Sequence, residues 1–172
     1  MPDPDPQPDT DPDPVPFSDA LDSPMYVVTA ASGGRRAGCL VGFASQCSIE
    51  PPRFVVWLST ANRTYRVAKD ADHLAVHVLR RDQRALAELF GGSTGDEVDK
   101  FAGLGWRPGA GGAPVLSEVR AWFTGRIEDT VPGGDHVGFL LSPAEQSAPQ
   151  DAPAPPALRY ADVRDLEAGH PA

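Results

Sequence analysis

The chain has 172 residues, 41% of them hydrophobic, a size that suits one domain built around a single core. Its formal net charge of -9 excludes the basic footprint with which proteins hold nucleic acid or anionic lipid. The longest apolar run, Phe54 to Leu58, is far short of the ~20 residues of a membrane-crossing helix, and no segment of signal-peptide type opens the sequence, so the expected location is the cytoplasm.

Residues 1–16 alternate Pro and Asp, carry Asp3, Asp5, Asp9, Asp11 and Asp13, and hold no Lys or Arg. Such a segment has little apolar surface to bury and reads as a disordered tail, which leaves the body only mildly acidic. From residue 17 to 147 the dominant pattern is β. Met25 to Ala31, Gly38 to Ala44, Arg53 to Ser59, Leu74 to Leu79, Val119 to Glu128 and His136 to Leu141 are short, rich in Val, Ile, Phe and Trp, and bounded by turn residues. The Arg53 to Ser59 strand is apolar on both faces, Phe54, Val56 and Leu58 on one and Val55 and Trp57 on the other, as a strand covered from two sides would be.

Helical signals are fewer. Asn62 to Thr64 opens one that runs through Val67 and Ala68. Asp82 caps a second, with Ala85, Leu86, Leu89 and Phe90 on one face and Gly91 and Gly92 as its stop. Asp96 caps a shorter turn through Val98 and Phe101. Strands that outnumber short helices, with no βαβ alternation, predict a mainly β protein: an antiparallel, split β-barrel. Cys39 and Cys47 match neither a redox pair nor a zinc knuckle and read as buried free thiols, and His73 and His77 lack a third ligand, so no metal site is expected. Residues 148–172 form a Pro-rich linker followed by a C-terminal segment in which Leu158, Tyr160 and Val163 suggest a last strand.

Four segments can carry chemistry: GCLVGFASQCSIEPP (38–52), STANRTY (59–65), DQRALAELF (82–90) and GDH (134–136). Singly, each also reads as an ordinary turn, cap or amphipathic helix. In order, with Asp99-Lys100-Phe101 between the last two, they resemble the flavin reductase-like, FMN-binding split-barrel family over roughly residues 25–141. Its pattern runs from a hydroxyl-rich strand ending in Ser-x-x-Pro-Pro to Ser-x-x-Asn-x-Thr and Gly-Asp-His. The chain departs from that pattern before the prolines, where Phe43, Ala44, Ser45, Gln46 and Cys47 stand in place of a run of Ser and Thr and leave fewer hydroxyls for the flavin.

The resemblance implies FMN, with FAD as the alternative, and NADH or NADPH as hydride donor. A flavin needs an apolar slot, hydrogen bonds for its ring edge and donors for its phosphate. Ala44, Ser45, Gln46, Cys47 and Ser48 are the candidates for the ring. Ser59, Asn62 and Thr64 are those for the phosphate, with Arg63 or Arg66 adding charge, and Tyr65 and Phe90 complete the set. No dinucleotide-binding glycine fingerprint follows a strand, so the nicotinamide is expected to stack directly on the flavin. His136 is the candidate for a role in the reaction, with Asp135 fixing its ring. The expected activity is NAD(P)H-dependent flavin reduction, with a monooxygenase as the partner that takes reduced flavin. The alternatives are a non-catalytic flavin-binding protein of the same fold, a split-barrel oxidase or a deazaflavin-dependent reductase. Two-sided apolar strands and the aromatics Trp57 and Trp122, read as exposed, predict a homodimer.

Overall fold

A computed structural model describes residues 17–149 and 153–169. The tail over residues 1–16 lies outside the described residues. Strand β1 (Tyr26–Ser32) turns directly into β2 (Arg35–Val41) through Gly33 and Gly34 at φ 56° and 75°, a two-residue turn that only such positive angles can close with the correct twist. The chain bends at Gly42 and Phe43 into β3 (Ala44–Ser48), which pairs with β4 (Arg53–Ser59). The expected single strand over 38–44 is therefore two strands with a corner between them.

Helix α1 (Arg63–Ala68), β5 (His73–Val78) and helix α2 (Arg84–Gly92) follow, then a small β6 (Trp106–Pro108) and β7 (Pro114–Leu116) hairpin that composition did not announce. The long strands β8 (Ala121–Pro132) and β9 (His136–Gln146) complete an antiparallel seven-stranded sheet of order β2-β1-β5-β8-β9-β4-β3. The Asp96 segment makes turns and no helix; Val98 N–H donates to Thr94 O at 3.1 Å and Ala102 N–H to Asp99 O at 3.2 Å.

Alternation along the strands divides the apolar residues between two cores. Val28, Ala30, Cys39, Val56, Leu58, Leu74, Val76, Phe139 and Leu141 fill the inside of the curled sheet, and Val67 and Ala68 of α1 close one end. Met25, Val27, Leu79, Leu86, Phe90, Phe101, Leu116, Leu158 and Val163 make a second layer outside it, which glues α2 and the C-terminal segment to the sheet. His77 faces the outer layer, fully buried, with Nδ1 2.9 Å from Val27 O and Nε2 accepting from Leu116 N–H at 3.0 Å. This arrangement fixes the neutral tautomer, and burial lowers its pKa from 6.5 to about 4.

Several expectations are revised. Cys39 is buried but Cys47 is exposed, because β3 is the last strand of the sheet and its outer side has no neighbour. Trp57 and Trp122 are half-buried, the latter under the Arg107 guanidinium at 4.9 Å. The last strand reduces to two isolated bridges, Pro24 with Arg159 and Arg80 with Ala157, after which Tyr160–Val163 forms a single helical turn, α3. Among the described residues no helix is long and apolar enough to cross a membrane.

Candidate functional site

The site grows from the pairing of β4 with β9, which sets Ser59 opposite His136 and Trp57 opposite Gly138. A Cβ at 138 would stand 2.9 Å from the Trp57 indole and one at 133 only 2.5 Å, so the two glycines let the ring lie flat against the β9 hairpin. The turn between β8 and β9 is held by Gly133 N–H donating to His136 O at 2.9 Å. Thr60, the residue after β4, secures it by donating its N–H and hydroxyl to Asp135 O at 2.9 and 3.2 Å.

On this support the His136 Nδ1 lies 2.7 Å from Asp135 Oδ1, and its ring lies 5.2 Å from the ring of Phe43. The hydrogen bond to His136 holds the Asp135 carboxyl below the usual carboxylate range. With Nδ1 tied to Asp135, Nε2 is the ring nitrogen left for another partner. The expectation that Asp135 fixes the imidazole matches this geometry.

A cavity of about 460 Å³ collects Ser59, Asn62, Phe90 and His136 from the sequence-derived candidates, together with Phe43 and Trp57. Asn62 caps α1, its Oδ1 accepting from Thr64 N–H at 2.9 Å, and Ser59 Oγ accepts weakly from Ala61 N–H at 3.4 Å. Cys39 lines the same space. Burial pushes its thiol up, and the Thr64 hydroxyl, the Lys100 charge and Asn62 pull the other way. Phe43, Trp57 and His136 also line a second hollow of about 310 Å³ with Gly133 and Asp135, so the imidazole stands between two spaces.

The remaining candidates sit elsewhere. Ala44 to Ser48 form β3, largely exposed, and none of them lines the His136 cavity. Gln46 donates from Nε2 to Ser48 O at 3.4 Å and borders a separate hollow with Phe54 and Trp122. Thr64 is fully buried and borders a cavity with Arg36 and Lys100; its hydroxyl has no partner in hydrogen-bond geometry among the described residues. Tyr65 packs edge-on against Phe139 at 6.2 Å. Phe90 reaches the cavity but is a core residue, close-packed on Gly38 and against Phe101 at 5.7 Å. Arg63 and Arg66 both serve Asp96, Arg66 through two contacts of 2.6 and 2.8 Å. Among the described residues no cluster of His, Cys, Asp and Glu has the makings of a metal site.

Sequence reasoning missed Phe43, Trp57 and the C-terminal residues Tyr160, Val163 and Leu166, which supply another wall of the cavity. The sequence carried one usable signal for Trp57: a large aromatic ring on β4 set against a β9 segment rich in glycine.

Comparison with known proteins adds a family and relatives. The model of the flavin reductase like domain matches residues 18–165. The chain is 32% identical over 149 residues to the NADH:riboflavin 5′-phosphate oxidoreductase of Streptomyces pristinaespiralis, covering 84% of this chain and 82% of that protein. It is 30% identical over 134 residues to HsaB of Mycobacterium tuberculosis, named a flavin-dependent monooxygenase reductase subunit, covering 74% of this chain and 69% of HsaB. A flavin reductase domain protein from Arthrobacter sp. FB24 superposes with a TM-score of 0.71 at 22% identity, over 81% of this chain and 83% of that one. Against three other curated relatives the chain spans only 36%, 50% and 52% of their length.

Proposed function

The chain belongs to the flavin reductase-like family, and from that premise we propose that it holds FMN in the cavity beside His136 and reduces it with NADH or NADPH. The observation that carries this is convergence: Ser59, Asn62 and His136, distant in sequence, meet Phe43 and Trp57 around one space of about 460 Å³. That volume falls in the ordinary range of ligand sites, ~300–1,000 Å³. An apolar lining with a few polar groups is also what a flavin requires, so the residues present fit the group. FAD is the alternative flavin.

When bound, the flavin supplies a two-electron acceptor for hydride from the nicotinamide. The chain's own contribution is positioning and exclusion of water. Phe43, Trp57 and the buried apolar lining desolvate the reacting rings, and Ser59 and Asn62 offer hydrogen bonds at the buried end. With Nδ1 of His136 tied to Asp135, Nε2 is left to accept from the carboxamide of a nicotinamide. That role abstracts no proton from a reactant.

Two further parts of the reading concern assembly. Exposed Phe43 and Ile49 flank the open edge strand β3, which supports a homodimer formed over this edge. HsaB is named a monooxygenase subunit, which supports a monooxygenase as the acceptor of reduced flavin. A cytoplasmic location goes with both, since reduced nicotinamide nucleotides are held there. The test is optical: protein loaded with FMN should lose its yellow absorbance anaerobically on addition of NADH or NADPH. A yellow protein that neither nucleotide bleaches would instead be a flavin-binding protein without reductase activity.

A further inference from the structure

The C-terminal segment is more than a linker, because it walls the His136 cavity. Its place is fixed by long-range ties. Tyr160 N–H donates to Ser23 O at 2.9 Å and Ala161 N–H to the Asp22 carboxylate at 3.0 Å. Arg84 of α2 grips Asp165 through contacts of 2.9 and 3.0 Å and also reaches Asp162 O. Gly169 N–H donates to Gly91 O at 3.1 Å.

These ties hold Tyr160 on the cavity with 50% of its surface exposed, and Phe43, on the same cavity, is 62% exposed. Neither ring belongs to a core cluster among the described residues. Ser59 and Asn62, in contrast, are 9% exposed. The lining therefore combines buried polar groups with exposed aromatic rings. A flavin held at the buried groups must receive its reductant face to face, so the second ring to arrive lies on the solvent side, among the exposed aromatics. A planar ring there gains contact that water does not provide.

We propose that Tyr160 is a binding residue for the hydride donor, its ring forming the outer wall against which the nicotinamide nucleotide packs. The inference rests on the flavin-reduction reading above. Phe43 lies at the bend into the edge strand proposed for dimer contact, whereas Tyr160 belongs to the C-terminal segment, and so Tyr160 is the residue to vary.

The experiment uses the full chain loaded with FMN and titrates the oxidised nucleotides NAD+ and NADP+ by calorimetry, a readout independent of turnover. Tyr160→Ala should weaken binding of the preferred nucleotide about three- to tenfold. KM for the reduced form should rise by the same factor, with kcat, FMN affinity and melting temperature unchanged. Tyr160→Phe should restore both, since the contact is the ring and not the hydroxyl. Unchanged nucleotide binding in Tyr160→Ala, with or without a loss of melting temperature, overturns the proposal. So does an equal loss of FMN affinity, which would make the ring a flavin wall. A wild-type protein that binds FMN but is bleached by neither reduced nucleotide overturns the flavin-reduction reading itself, and the inference with it.

Discussion

Three residues separate chemistry from architecture. His136→Ala should slow reduction of bound FMN while leaving FMN affinity and melting temperature in place, because the imidazole rests on the rim and its tie to Asp135 is local. A transition-state contact of ~2–3 kcal/mol corresponds to a thirty- to two-hundredfold drop in kcat/KM, about that size. Stopped-flow reduction started from the loaded protein checks it, and a wild-type rate would remove His136 from the reaction. Asn62 caps α1, and the phosphate contact proposed for it is a second job that one substitution can divide from the first. Asn62→Asp keeps an oxygen to cap Thr64 N–H, a cap worth ~1 kcal/mol, but adds a carboxylate. The variant should melt below wild type, since its new charge is buried, lose FMN affinity by about tenfold or more through repulsion of the phosphate, and bind riboflavin normally. Equal loss for both flavins would move the phosphate away from this residue. His77 is the structural counterpoint. Its folded pKa of about 4 lies below the usual 6.5, so the unfolded chain binds a proton first as pH falls. Stability is complete above pH 6.5 and declines toward pH 4, by about 2–3 kcal/mol at the low end. Denaturant melts at several pH values should show this decline in wild type and a smaller one in His77→Gln.

At the scale of elements, β4 and β9 carry the site, and their fit depends on what is missing from β9. Gly138→Ala puts a methyl group 2.9 Å from the Trp57 indole, and the ring, backed by a sheet, must move. A loss of about 1–3 kcal/mol is expected, with a smaller loss in the Trp57→Leu background where the clash is absent. Thermal melts of the two single variants and the double variant test it; strict additivity would mean that the two residues do not meet. The same two strands show how much was legible in advance. Both announce themselves by β-branched and aromatic runs between turn residues, and Ser59, Asn62 and His136 stand out through the family pattern. What stayed hidden arises from contacts between distant segments. The corner at Gly42 and Phe43 interrupts an apolar run with no proline to mark it. The β6 and β7 hairpin has only three residues per strand, too few for a period to show. The exposure of Ala44 to Ser48 follows from strand order, and the burial of Thr64 follows from α1 closing the barrel end, neither of which periodicity specifies.

For the molecule as a whole, the open edge at β3 is the feature most in need of a partner. Light scattering at micromolar concentration should give a dimer near twice the 18.2 kDa of the chain, and a clean monomer would count against the assembly proposed over this edge. The C-terminal segment has another bearing, on the order of events during synthesis. Residues 153–169 are translated after every strand of the sheet, and they wall the cavity only once they reach Asp22, Ser23, Arg84 and Gly91. A chain in which residues 153–169 have not yet docked lacks one wall of the candidate cavity. Retention of a flavin in that cavity would then wait for the segment to dock.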